Sequence, residues 1–232
     1  MSESLPNSSR RGFLGKIAAG AAAIGAASLA PFTAGAKKIN KEFLPFEDPD
    51  DWIKKIPGKH KMVFDVTEPH GIFPFAWPRV FMLTNEMSGA NAKDVGVIVV
   101  LRHSGIPYAM QDQLWAKYNF GEVFKVEDPV KKASSATRNP FWQPKPGDYK
   151  VPGLGNVAIG INELQQNGVQ FCVCDMAILV NSAIIASKMN MDPEVVKKDF
   201  IAGLLPGVHR VPSGVWALGR AQSQGFGYCF AS

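Results

Sequence analysis

Three cysteines and four histidines give this 232-residue chain its candidates for nucleophilic or metal-binding chemistry, and one cysteine stands apart by position. Cys174 closes the apolar run Val169 to Val173, which reads as a buried strand entered through the Asn167-Gly168 turn. Asp175 follows it, with a carboxylate suited to N-cap a helix beginning at Met176. A thiol between the carboxyl end of a strand and the start of a helix lies where open α/β sheets place their ligands, and the helix dipole there favours thiolate. That is the setting of a reactive cysteine. A neighbouring carboxylate raises a thiol's pKa unless it is committed elsewhere, so the role of Asp175 decides how reactive Cys174 is.

Other strand ends bring further groups to the same edge. His70 follows the first predicted strand, Arg102 and His103 the second, and Arg210 to Ser213 the fourth. Around Cys174 as the catalytic candidate, the binding candidates are His70, Arg102, His103, Asp175 and Ser213, with Arg138 and Asn139 reaching over from a long loop. The alternatives are a small buried core thiol, and a metal ligand. His70, His103 and Cys174 have suitable donor types, but their spacing lacks the tightness of a zinc motif, and no metal is assigned. Cys172 and Cys229 read as core, and a Cys172–Cys174 disulfide within an extended strand would be strained. His60 and His209 read as solvated. Hydrolase and nucleotide-binding motifs are absent, Gly153-Leu154-Gly155 with Gly160 departs from a dinucleotide loop, and the cofactor is left unknown.

Five strands must hold these groups: His60 to Val66, Val95 to Leu101, Val169 to Val173, Val208 to Val211 and Phe226 to Phe230. Val95 to Leu101 is apolar almost throughout, as a central parallel strand covered on both faces requires. The intervening segments read as helices: Phe73 to Met87 with a buried stripe of Trp77, Phe81 and Leu83, then Tyr108 to Tyr118, Asn156 to Asn167, Met176 to Lys188, Asp192 to Leu204 and Pro212 to Gln224. This alternation specifies a parallel-dominated α/β layer fold. Residues 119–155 interrupt it with a proline-rich connection, as expected of a lid or an interaction arm. Arg138-Asn139-Pro140-Phe141-Trp142 is the part expected to fold over the site, or else to pack its aromatics on its own domain or a neighbouring subunit.

With 46% hydrophobic and 19% charged residues, the chain suits one domain with a sizeable core. Residues 1–36 read as a signal peptide. Arg10-Arg11-Gly12-Phe13-Leu14 precedes an Ala/Gly-rich run and the small-residue cleavage site Ala34-Gly35-Ala36, and the paired arginines resemble the twin-arginine export signal. This implies passage through the twin-arginine translocase to the periplasm or another exported location. Residues 37–57 read as a surface segment pinned by Phe43, Phe46 and Trp52, and the domain proper spans 58–232. Of the formal charge of +5, the leader takes Arg10, Arg11 and Lys16 against Glu3, leaving +3 spread without a basic block. Nucleic acid is not expected as a partner.

A strand ending in Cys174, an Ala-containing helix after it, the segment Val211-Pro212-Ser213-Gly214-Val215 and a terminal Gln222-x-x-Gly225-Phe226-x-Tyr228 together resemble the DsrE-like family of sulfur-transfer proteins. The resemblance covers roughly residues 60–230 apart from the long insertion. It implies a flavodoxin-like three-layer sandwich with a mainly parallel five-stranded sheet, and assembly as a homo-oligomer, trimer or hexamer. By the same resemblance, Cys174 matches the cysteine that accepts sulfane sulfur as a persulfide, so the implied partner is a small sulfur species. The competing expectations are a non-enzymatic module binding a small ligand or metal in the same pocket, and an assembly partner of an exported redox enzyme.

Overall fold

The computed structural model describes residues 49–135 and 137–232. The leader, Phe43 and Phe46 lie outside the described residues. Within them a short helix α1 (Asp51–Lys54) precedes β1 (His60–Val66), α2 (Phe73–Met87) and β2 (Val95–Leu101). A 3-10 helix (His103–Ala109) leads into α3 (Asp112–Tyr118) and α4 (Phe120–Val123). Two small hairpins follow, β3 (Glu127–Asp128) with β4 (Ala133–Ser134), and β5 (Lys150–Val151) with β6 (Gly155–Asn156). The chain then runs through α5 (Ile161–Gln166), β7 (Gln170–Cys174), α6 (Asp175–Met189), α7 (Pro193–Ala202), β8 (Val208–Val211), α8 (Gly214–Ser223) and β9 (Gly227–Phe230).

The long strands form one all-parallel sheet in the order β8-β7-β2-β1-β9. Alternation along each strand divides its side chains between two cores. Phe64, Val66, Val97, Val99, Leu101, Phe171 and Val173 pack with Phe75 of α2 and with Ile178 and Ile185 of α6. Val63, Ile98, Val100, Cys172 and Val211 pack with Ala217, Leu218 and Ala221 of α8. The result is a flavodoxin-like three-layer α/β sandwich: the alternating pattern predicts its parallel α/β layers, and the family resemblance implies its flavodoxin-like form.

Strand order locates the site. The chain leaving β7 enters α6 on one face of the sheet, while the chain leaving the neighbouring β8 enters α8 on the other. Diverging connections open a crevice at the carboxyl ends of the two strands, the usual ligand position in such sheets.

Four expectations are corrected. Trp77 is exposed, and the buried face of α2 is Pro74, Phe75 and Pro78. The helix expected over Asn156 to Asn167 is confined to Ile161–Gln166, because Gly155-Asn156 pairs with Lys150-Val151 across a turn with Gly153 and Gly155 at positive φ. The helix expected from Tyr108 begins at Asp112, after a 3-10 segment. The segment before residue 58 is no surface strap in its second half, since Ile53 and Ile56 are buried in the α8-side core.

Candidate functional site

Cys174 is both the last residue of β7 and the N-cap of α6. Its backbone is extended, with φ −74° and ψ 113°, and Sγ accepts the Ala177 N–H at 3.3 Å. The thiol therefore satisfies one of the four amides that a helix start leaves without a partner. This corrects the capping role expected of Asp175, which is instead the first helical residue. Its carboxylate is turned toward β8, where Arg210 Nε lies 2.8 Å from Oδ1. Burial holds the Asp175 carboxyl above its usual value, and the Arg210 charge offsets this only in part. The acid beside the thiol is thus matched by a cation from the next strand.

Arg102, His103, Met176, Val180, Ser213 and Val215 line an open depression of about 450 Å³ with Cys174 in its wall. Ser213 N-caps α8 by accepting the Trp216 N–H at 3.2 Å, so two helix starts face this depression. Arg102 follows β2 and is fixed by Asp65 of β1, with Nε to Oδ1 at 2.7 Å and Nη2 to Oδ2 at 2.9 Å. The Tyr228 hydroxyl donates to the same Oδ2 at 2.9 Å. Asp65 chiefly, and the Cys174 sulfur to a smaller degree, favour the charged guanidinium and raise Arg102 further. His103 is exposed, with its backbone left-handed at φ 49° and its Nδ1 3.0 Å from the Ser104 hydroxyl. Cys174 itself is 7% exposed, so a reactant must be small or must approach along the depression.

The structure gathers Cys174, Arg102, His103 and Ser213, with Asp175 beneath them, and separates the other candidates. His70 lines a different cavity and packs against Phe73 with ring centroids 5.0 Å apart. The strand order accounts for this, because β2 lies between β1 and β7. Arg138 and Asn139 do not close over Cys174. Arg138 makes a two-pronged ion pair with the buried Asp128, at 2.8 and 3.1 Å. Asn139 is fully buried and donates to the Tyr108 and Met110 carbonyls at 2.8 and 3.1 Å. Phe141 packs on Phe75 and Tyr149, so the insertion folds its aromatics onto its own domain.

The three cysteines are free. Burial pushes the Cys172 and Cys229 thiols up, and Cys172 is wholly enclosed in the α8-side core. His209 is not solvated as expected. It stacks on Trp52 at 4.4 Å, its Nε2 lies 3.3 Å from Gln170 Oε1, and burial holds its imidazole below the usual value.

Sequence reasoning gave no site role to Asp65, Tyr228, Gly214 or Asn181, although Gly214 and Tyr228 stand in the motifs that carry the resemblance. Asp65 carried a signal, as the single charge inside the apolar run Met62 to Val66. A Cβ on Gly214 would fall 2.6 Å from Arg102 Cβ and 2.7 Å from its Cδ, so glycine is what lets α8 approach the arginine stem. Asn181 donates to the Ala177 carbonyl at 2.9 Å and lies on the rim of the depression. Among the described residues, no group of three or more His, Cys, Asp or Glu side chains is placed to hold a metal ion, and no helix is long and apolar enough to cross a membrane.

Neither a known protein family nor a curated protein matches the chain. Among solved structures, it is similar to a protein of unknown function from Methanobacterium thermoautotrophicum, with 19% identity over 74% of this chain and 99% of that one and a TM-score of 0.38.

Proposed function

We propose that the protein is an exported carrier of sulfane sulfur that loads Cys174 as a persulfide. The observation supporting this most directly is the sulfur's position: Sγ accepts a helix-start amide in the wall of a depression also lined by a fixed arginine. Amide donors and a nearby cation would hold the anionic terminal sulfur of a persulfide. In the loading step, the thiolate attacks the outer sulfur of thiosulfate, the sulfur–sulfur bond of the donor breaks, and sulfite leaves with the electron pair. The product is a persulfide anion on Cys174, and no outside oxidant or reductant is consumed.

Export rests on the paired-arginine leader of the sequence. Assembly as a homo-oligomer draws support from α6, where Met176, Val180 and Ile184 are about half-exposed at successive four-residue steps. Such an apolar row on one helix face suits burial against a second copy.

The test is intact mass spectrometry of the protein after incubation with thiosulfate or polysulfide. A gain of whole sulfur atoms that reductant removes, absent in Cys174→Ala, is the expected result. Failure to load while a small alkylating reagent modifies Cys174 would rule out the carrier and favour a ligand-binding pocket with a structural thiol.

A further inference from the structure

The insertion takes no part in the Cys174 depression, yet it is anchored more firmly than a surface arm needs. Asp128 and Asn139 are fully buried, and Phe141 stacks on Tyr149 with centroids 5.1 Å apart and planes within 6°. This segment borders, with the loop after β1, an open cavity of about 540 Å³. Lys125 and Lys132 reach it from two turns of the insertion, Lys150 from β5, and His70 from the β1 loop. Lys125 and Lys132 hold left-handed backbones, φ +56° and +55°, a conformation that residues other than glycine rarely adopt. Among the described residues none of these lysines forms an ion pair. Of the two acids in the lining, Asp148 is held by Arg138 at 3.9 Å and by the Lys145 amide at 2.9 Å, leaving Glu127 against three lysines.

Ile72 is shared between this cavity and an apolar groove of about 490 Å³ that runs between α2 and the β5–β6 hairpin. Phe73 and Trp77, stacked at 5.0 Å, form one wall with Val80 and Leu83, and Leu154 and Val157 form the other. Phe73, Trp77 and Leu154 are 37%, 40% and 56% exposed, so large apolar side chains face water along the whole trough. Cationic at one end and apolar along most of its length, with Arg79 and Asn156 its polar members, the trough has the polarity of a molecule with an anionic head and a hydrocarbon tail. Both volumes fall within the ~300–1,000 Å³ typical of small-molecule sites.

We propose that the insertion and α2 form a binding site for a free, single-chain amphiphilic carboxylate, its head among Lys125, Lys132 and Lys150 and its chain along Phe73 and Trp77. The site is separate from Cys174, and its occupation does not depend on sulfur loading.

The test uses the full chain with dodecanoate below its micelle concentration. Saturable binding by calorimetry is expected, with a shift of tryptophan emission that disappears in Trp77→Phe. Lys132→Gln with Lys150→Gln should weaken binding about tenfold, as loss of charge-assisted contacts does, with circular dichroism confirming the fold. Dodecanol, lacking the charge, and acetate, lacking the chain, should each bind at least about tenfold more weakly. Equal affinity for dodecanol and dodecanoate, or full affinity in the double lysine variant, would overturn the proposal. So would loss on Arg79→Gln alone, which would put the head at the groove's own cation, or binding only to anionic vesicles. A Trp77 shift that follows protein concentration and not dodecanoate would assign the groove to a second copy and end the proposal likewise.

Discussion

Arg102 grips Asp65 through both Nε and Nη2 of its guanidinium, although it lies just past the end of β2 and Asp65 is wholly buried within β1. The arginine has one side against this carboxylate and the other toward Cys174. Its charge is thereby held in the wall of the depression without a partner from the ligand side. Tyr228 completes the shell of Asp65 from the edge strand β9, so β1, β2 and β9 all contribute to a single arginine's position.

Removing the guanidinium leaves a carboxylate buried and unmatched. Arg102→Ala should therefore cost about 2–4 kcal/mol, somewhat less than a fully buried pair because the guanidinium is partly exposed. Tyr228→Phe should cost about 1 kcal/mol, the worth of one hydrogen bond. Urea denaturation measures both. A loss below about 1 kcal/mol for Arg102→Ala would mean that water replaces the arginine at Asp65.

Two glycines of α8 make a matched pair of probes. Gly214→Ala drives a methyl into the Arg102 stem and should destabilise by about 1–3 kcal/mol, while slowing Cys174 alkylation as the arginine shifts. Gly219 meets nothing within 4 Å, so Gly219→Ala should be neutral or stabilise by up to about 1 kcal/mol. Thermal unfolding of the two variants decides this, and equal effects would show that the contact with Arg102 is slack.

Because burial holds His209 below its ordinary value of 6.5, the unfolded chain takes up a proton there before the folded one does. Its contribution to stability is full above pH 6.5 and is lost as pH falls through the depressed folded value. Acidification should lower the melting temperature and alter Trp52 emission together. His209→Phe keeps a ring against Trp52 but cannot titrate, and should lack that component of the pH dependence. An unchanged acid limb in this variant would assign the effect to other groups.

The row on α6 predicts how the protein assembles. Val180→Asp with Ile184→Asp should leave the fold intact, because both side chains are about half-exposed, and should convert an oligomer to monomer in light scattering. A wild-type protein that is already monomeric at micromolar concentration would remove this reading.

The five strands and most helices were legible because burial on both faces leaves continuous apolar runs, and because Asp192-Pro193 and Ser213-Gly214 are strong helix starts. Cys174 could be placed at a strand end for the same reason. Partnerships could not. Asp175 carries the chemistry of a cap, and only the fold brings Arg210 from the next strand to divert it. Arg138 and Asn139 looked available to a ligand, yet their partners Asp128, Tyr108 and Met110 were unknowable from spacing. His70 was grouped with Cys174 because a strand end was legible where the strand order was not. His209 shows the reverse failure, since nothing local marks that Trp52 will lie flat upon it.

The α8-side core is closed at one place by a short stretch that precedes the first strand. Ile53 is completely buried and Ile56 nearly so, Trp52 lies over His209, and Asp50 lies 3.8 Å from Arg220 of α8. The smallest fragment that folds soundly should therefore begin before Asp50, and a protease cutting between Asp50 and Pro57 would remove a plug. Burial of one isoleucine stabilises by about 1.5–3 kcal/mol, a large share of a typical domain's margin. The proposed cleavage at Ala36 falls before that plug, so a chain shortened there would keep its second core closed.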